Sequence, residues 1–161
     1  MICRNCSSQL TNLFLDLDTA PPSNNILNKN ELKKSELFYP LRVFVCKKCF
    51  LLQTEDFVSV EDLFDELYPY FSSTSTSWVE HAKKYVDKIL KEFNLNKKSL
   101  VLEVAANDGY LLQFFNKKKI PNFGIEPTKS TSKKAKEKNI DIIEEFFNTN
   151  LAKKLKKNKG K

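Results

Sequence analysis

Four cysteines fall into two pairs, Cys3-x-x-Cys6 and Cys46-x-x-Cys49, and no cysteine lies outside them. Two intervening residues let both thiolates of a knuckle turn toward one ion, and two knuckles complete a tetrahedral zinc site. Bound zinc lowers thiol pKa values and keeps such ligands anionic. Four sulfur ligands leave no open coordination position, so the metal is expected to hold structure and not to catalyse. Two disulfides or a redox Cys-x-x-Cys are the competing readings. The opening Met1-Ile2-Cys3-Arg4-Asn5-Cys6 has no apolar signal core, which sets the chain apart from disulfide-bonded secreted domains. Structural zinc is therefore the preferred reading, and the expected location is cytoplasmic.

The second chemical stretch is Glu103-Val104-Ala105-Ala106-Asn107-Asp108-Gly109-Tyr110-Leu111-Leu112. It leaves an apolar strand and opens a helix, where nucleotide and nucleoside cofactors sit in Rossmann-like folds. Laid over the E-x-G-x-G-x-G loop of methyltransferases, it keeps Glu103 and Gly109 but places Ala105 and Asn107 where glycines are usual. Alanine is the next smallest residue, and asparagine tolerates left-handed geometry better than most. Glu126 ends the following strand, 17 residues beyond Gly109 and near the spacing of roughly 20 at which an acidic residue meets ribose hydroxyls. An ordinary strand-ending charge before Pro127 is the alternative for Glu126.

The elements that must position these groups follow from periodicity. Residues 1–58 are loop-rich and short-stranded, with Phe38, Leu41, Val43 and Val45 forming a strand into Cys46, Phe50-Leu51-Leu52 a second apolar piece, and Ala20 to Asn25 a loop. From Ser59, Val60, Leu63, Phe64 and Leu67 share a helical face behind a capping box, and Pro69 ends that helix. Ser77 with Glu80 predicts a second capped helix whose buried stripe is Trp78, Ala82, Tyr85, Ile89 and Phe93. Beyond Asn94 the pattern alternates: strand at Leu100–Val104, helix at 110–118, strand at 123–126, helix at 130–138, strand at 140–143, and a helix from Asn150. Such alternation predicts a parallel sheet with right-handed crossovers, its first strand buried on both faces.

The fold class is thus α/β. The expected division is a four-Cys zinc-binding domain over 1–58, a helical connector over 59–98, and the first half of a Rossmann-like domain over 99–161. Three parallel strands are half of a doubly wound sheet. The expectation is either that the sequence is truncated or that the rest of the fold is supplied elsewhere, for instance as a separate chain.

Bulk composition narrows the class further. The formal charge of +7 raises a nucleic-acid surface as a candidate. The lysines are spread along the chain, however, and thicken only toward Lys153–Lys161, while Arg, suited to bidentate phosphate contacts, occurs only at positions 4 and 42. Solvated helix faces are the preferred reading, and nucleic acid is not an expected partner. No apolar run approaches the ~18 residues of a membrane span, so no membrane partner is expected either.

Taken in order, the two Cys-x-x-Cys pairs, Tyr68-Pro69-Tyr70-Phe71-Ser72-Ser73-Thr74-Ser75, His81 in the following helix, Glu103 to Leu112 and Gly124-Ile125-Glu126-Pro127 resemble the sugar C-methyltransferase family. The resemblance spans essentially the whole chain. It implies an N-terminal zinc-binding domain, S-adenosylmethionine as cofactor, and a nucleotide-linked 4-keto-deoxy sugar as substrate. It further implies proton abstraction alpha to the ketone, giving an enolate that attacks the cofactor's methyl group. Tyr68 matches a family active-site position and would stabilise the enolate oxygen; anchoring a helix end is its alternative role. Glu103, Ala105, Asn107 and Gly109 would line the cofactor loop, and Glu126 would hold the ribose. Tyr70, Ser73, Ser75 and His81 are weaker candidates. The family's base residues, a His after the fourth strand and a later Glu-His pair, would lie beyond Lys161, as would its C-terminal nucleotide-binding domain. The contrasting reading is a non-catalytic zinc ribbon that docks to nucleic acid or a partner protein, without need of the Glu103–Gly109 loop.

Overall fold

The computed structural model describes residues 1–64 and 68–159, without the side chains of Asp62 and Lys159. Leu67, expected on a helical face, and Lys161, expected in the basic tail, lie outside the described residues. The chain divides into two compact units, Met1–Leu63 and Phe64–Lys161. The segment expected as a connector is shared between them.

The first unit is a three-stranded antiparallel sheet of order β1-β2-β3, formed by β1 (Leu13–Ala20), β2 (Tyr39–Val45) and β3 (Leu52–Thr54). β1 extends the strands expected from sequence. Its alternation of Leu15 and Leu17 with Asp16 and Asp18 suits a pleat, yet nearly the whole strand is exposed and is held by its ladder with β2. A short helix, α1 (Val60–Leu63), closes the unit.

The second unit begins with a 3-10 turn at Ser72–Thr74 and the long helix α2 (Thr76–Glu92). The helix is capped by Ser75, two residues before the expected cap, with Ser75 Oγ accepting the Trp78 N–H at 3.3 Å. Ala82 and Val86 are its buried residues, flanked by Val79, Ile89 and Leu90. The expected stripe is therefore corrected by a rotation: Trp78, Tyr85 and Phe93 are exposed. Apolar residues occupy two overlapping faces that share Ala82 and Ile89, and packing selects one of them.

A parallel sheet of order β4-β5-β6 follows, from β4 (Val101–Val104), β5 (Asn122–Ile125) and β6 (Ile142–Ile143). The intervening helices are α3 (Leu112–Lys117), α4 (Lys129–Glu137) and, after the last strand, α5 (Thr149–Lys159). This is the α/β architecture that the alternating pattern predicts. β4 differs from expectation in burial. It is an edge strand among the described residues, and Leu102 and Val104 are exposed while Glu103 on the opposite face is half-buried.

The register sets Glu103 beside Gly124 and Gly124 beside Ile142. A Cβ on Gly124 would lie 2.5 Å from Ala106 Cβ and 2.6 Å from Ile142 Cδ1, so glycine is required where the β4–α3 loop crosses the strand. Gly124→Ala is expected to cost about 1–3 kcal/mol by overpacking. Urea unfolding of the two proteins measures this, and coincident midpoints would refute the close approach.

Candidate functional site

The two cysteine knuckles are built alike. Cys3 N–H donates to Ser8 O at 2.9 Å and Cys46 N–H to Leu51 O at 3.0 Å, while Ser7 N–H and Phe50 N–H return to Cys3 O and Cys46 O, each at 2.9 Å. The fifth residue of each knuckle, Ser7 (φ 57) and Phe50 (φ 61), is left-handed. This repeated turn aims all four sulfurs at one point. The Cys3–Cys49 and Cys6–Cys46 Sγ pairs are both 3.6 Å apart, and the four sulfurs lie within 4.8 Å of one another. A tetrahedral site with Zn–S of about 2.3 Å has edges of about 3.8 Å, whereas a disulfide requires about 2.05 Å. All four cysteines are free, and the donor set and spacing fit zinc.

Outer groups support the sulfurs. Buried Gln53 donates from Nε2 to Cys3 Sγ at 3.4 Å and accepts the Arg4 N–H at 3.0 Å. Ser8 Oγ lies 3.3 Å from Cys46 Sγ. The Ser8 hydroxyl, then the Cys49 and Lys48 backbone N–H groups, pull Cys46 down to about 5. The Cys6 backbone N–H and then Gln53 lower Cys3. Both shifts favour the thiolate that metal binding needs. Gln53 had no marking in the sequence; only the pairing of β3 beside β2 places it there.

In the second unit the loop after β4 takes left-handed geometry at every second residue: Ala105 (φ 59), Asn107 (φ 49) and Gly109 (φ 74). These are the three glycine positions of the pattern. Ala105 and Asn107 thus keep the backbone path without glycine, at a steric cost of roughly 1–2 kcal/mol for alanine. A Cβ on Gly109 would collide with Ile140 Cδ1.

Glu126 is buried at the end of β5. Its Oε2 accepts the Asn107 N–H at 2.9 Å and its Oε1 accepts the Thr128 N–H at 3.0 Å. The carboxylate therefore clamps the β4–α3 loop to the start of α4, with a further lone pair on each oxygen. Glu103 is pushed up to about 8 by burial, then by the charges of Glu126 and Asp108. Glu103 Oε2 and Asp108 Oδ1 are buried without a hydrogen-bond partner. Two orphaned acceptor oxygens beside a left-handed loop fit a ligand carrying N–H or O–H donors.

The Tyr68–Ser75 segment runs alongside. Ser72 N–H donates to Asn107 Oδ1 at 2.9 Å and Asn107 Nδ2 to Tyr70 O at 3.1 Å. Ser73 reaches Asp108, and Ser130 Oγ donates to Tyr68 O at 3.1 Å. Tyr68 packs its ring 5.2 Å from Phe64. Trp78 stacks on His81 (5.2 Å) and on Tyr110 (6.0 Å). Burial first, and then Glu103, raises the Tyr110 hydroxyl. The structure thus brings together Glu103, Ala105, Asn107, Gly109, Glu126, Tyr70 and Ser73. Ser75 caps α2 instead, and His81 is exposed on that helix. Asp108, which stands within the Glu103–Leu112 stretch without a role assigned to it there, and Lys138, which lies in no motif, are both part of this network.

Residues 3–64 match a family described as a zinc binding domain. C-methyltransferase NovU from Streptomyces niveus is 24% identical over 153 residues, which is 95% of this chain and 36% of that protein. The chain thus spans about a third of the length of the relative it matches, and it is methyltransferase-like in sequence across nearly all of its own. Among the described residues no helix is long and apolar enough to cross a membrane.

Proposed function

We propose that this zinc-bearing, methyltransferase-like chain forms the cofactor-side part of an S-adenosylmethionine-dependent C-methyltransferase acting on a nucleotide-linked keto-deoxy sugar. The observation that carries the reading is the β4–α3 loop, left-handed at all three glycine positions and flanked by Glu103 and Glu126. The likeness to a C-methyltransferase supports the reaction class, and the ordered motifs from Cys3 to Pro127 support the sugar substrate.

S-adenosylmethionine, when bound, supplies a methyl group made electrophilic by its sulfonium. The remaining roles belong to the chain. Glu103 and Asp108 offer acceptor oxygens, without partners of their own, to ammonium or hydroxyl donors. Glu126, held rigid by two backbone N–H groups, presents its outer lone pairs to ribose hydroxyls. Ala105 and Gly109 keep the backbone close to the ligand. The Tyr68 hydroxyl donates a hydrogen bond to the oxygen on which charge develops as the acceptor carbon gives its proton to a base, which the family resemblance sets outside these residues.

Calorimetric titration of the zinc-loaded chain with S-adenosylmethionine tests the reading. Saturable binding is expected, weakened at least tenfold in Glu126→Ala and less in Glu126→Gln, which keeps one acceptor. A folded wild-type chain that binds nothing would refute it. Salt-sensitive binding to polyanions would instead favour the docking-module reading.

A further inference from the structure

The Tyr68–Ser73 segment is fastened to the cofactor loop more tightly than its composition requires. Asn107 uses its side-chain amide on two backbone groups of the segment, taking the Ser72 N–H and giving to the Tyr70 carbonyl. Asp108, 2% exposed, accepts the Ser73 N–H through Oδ2 at 3.3 Å and also accepts the Ser73 hydroxyl. Lys138, at the end of α4, closes the network from a third direction. Its Nζ donates to Asp108 O at 2.7 Å and Ser73 Oγ at 3.3 Å, and pairs with Asp108 Oδ2 at 3.4 Å.

Both ends of the segment are fixed as well. Ser130 Oγ, from the first turn of α4, holds the Tyr68 carbonyl. At the other end Ser75 caps α2, and Trp78 in its first turn stacks on Tyr110 just past Gly109. A glycine at position 107 would adopt φ 49 with no steric cost. The asparagine accepts that cost and in return provides the two-pronged link.

We propose that Asp108 and Lys138 are positioning residues, which with Asn107 strap the Tyr68–Ser73 segment to the β4–α3 loop so that a ligand ordering the loop also fixes Tyr68 and Tyr70. This rests on the cofactor reading of that loop. A ligand that narrows the loop's motion narrows the strap's, because the hydrogen bonds that tie Tyr68, Tyr70, Ser72 and Ser73 down end on loop atoms or on Lys138 and Ser130. By linkage, ordering of the strap raises the loop's affinity for the ligand by the same factor.

Residue-resolved amide hydrogen exchange on the zinc-loaded full chain, with and without S-adenosylhomocysteine, tests this. The ligand-free wild type is expected to protect the Ser72 and Ser73 amides. Lys138→Met and Asp108→Asn should each speed Ser73 exchange at least tenfold, and Lys138→Arg should restore it. Unchanged protection at Val86 in α2 establishes that a variant is folded. The ligand should slow both serine amides further in the wild type but not in Lys138→Met. Equal exchange in wild type and Lys138→Met overturns the strap. Ligand that binds by calorimetry yet leaves both amides unchanged overturns the coupling and spares the cofactor reading. Amides that respond to Lys138 in a chain that binds no S-adenosylhomocysteine overturn the cofactor reading and the coupling with it, leaving the strap in place.

Discussion

Chelating the metal is expected to unfold residues 1–63 while residues 68–159 keep their structure. The reason is the composition of the first unit's core. Its buried apolar residues are Cys3, Leu10 and Cys46, with Cys6, Phe44 and Cys49 packed against them, so most of what is buried is the ligand set itself. Leu13, Phe14, Leu15 and Leu17 of β1 are exposed and contribute little burial to the unit. A fold of this size without an apolar core depends on a staple. Four-sulfur zinc binding is worth about 10–16 kcal/mol at neutral pH, far more than the unit's other contacts supply. Four thiolates gathered without the ion also repel one another. Cys46→Ala, which leaves three ligands, should unfold the same residues. Amide exchange on the chelated protein decides the matter. Protection retained at Val43 and Val45 after metal removal would show that the strands stand alone, and simultaneous loss at Val86 and Phe115 would show that the second unit depends on the first.

The contrast between these units explains what the sequence disclosed. Cysteine spacing is local chemistry: a knuckle needs two residues between thiols, and the long gap between pairs only has to return the chain. The loop after β4 is equally local, because left-handed φ at alternate residues restricts which side chains can stand there, and Ala105, Asn107 and Gly109 satisfy that restriction. The face of α2 was ambiguous for a physical reason. Trp78, Tyr85 and Phe93 offer an apolar stripe as large as that of Val79, Val86 and Leu90, and the choice depends on α3 and the buried cluster it belongs to rather than on α2. The pairing of Asp108 with Lys138 was illegible for a stronger reason. They lie 30 residues apart, and each is an ordinary charged residue until the β4–α3 loop and the end of α4 are brought together. The alternation in β1 was present in the residues, but a pattern whose apolar side is left exposed gives burial arguments nothing to act on.

Glu103 carries the second large effect, and its sign follows from its surroundings. Burial and the neighbouring charges of Glu126 and Asp108 raise it from 4.5 to about 8. The unfolded chain releases this proton near 4.5, whereas the folded chain holds it until about 8. Between those values the folded state binds more protons, so stability declines as pH rises through the interval and levels off above it. Each pH unit of that interval is worth roughly 1.36 kcal/mol, so the decline amounts to a few kcal/mol of second-unit stability. Glu103→Gln cannot ionise and should remove this slope. The variant should match the wild type near pH 4.5 and exceed it by the full difference above pH 8. Urea midpoints at several pH values, read from Trp78 fluorescence, supply the test; parallel curves for the two proteins would dismiss the buried charge. The same substitution should weaken binding of a cationic ligand, because pairing with a cation is what draws the proton from Glu103. A residue that destabilises the ligand-free fold at neutral pH, and whose cost a cation would relieve, is expected where a site is prepared for its ligand in advance.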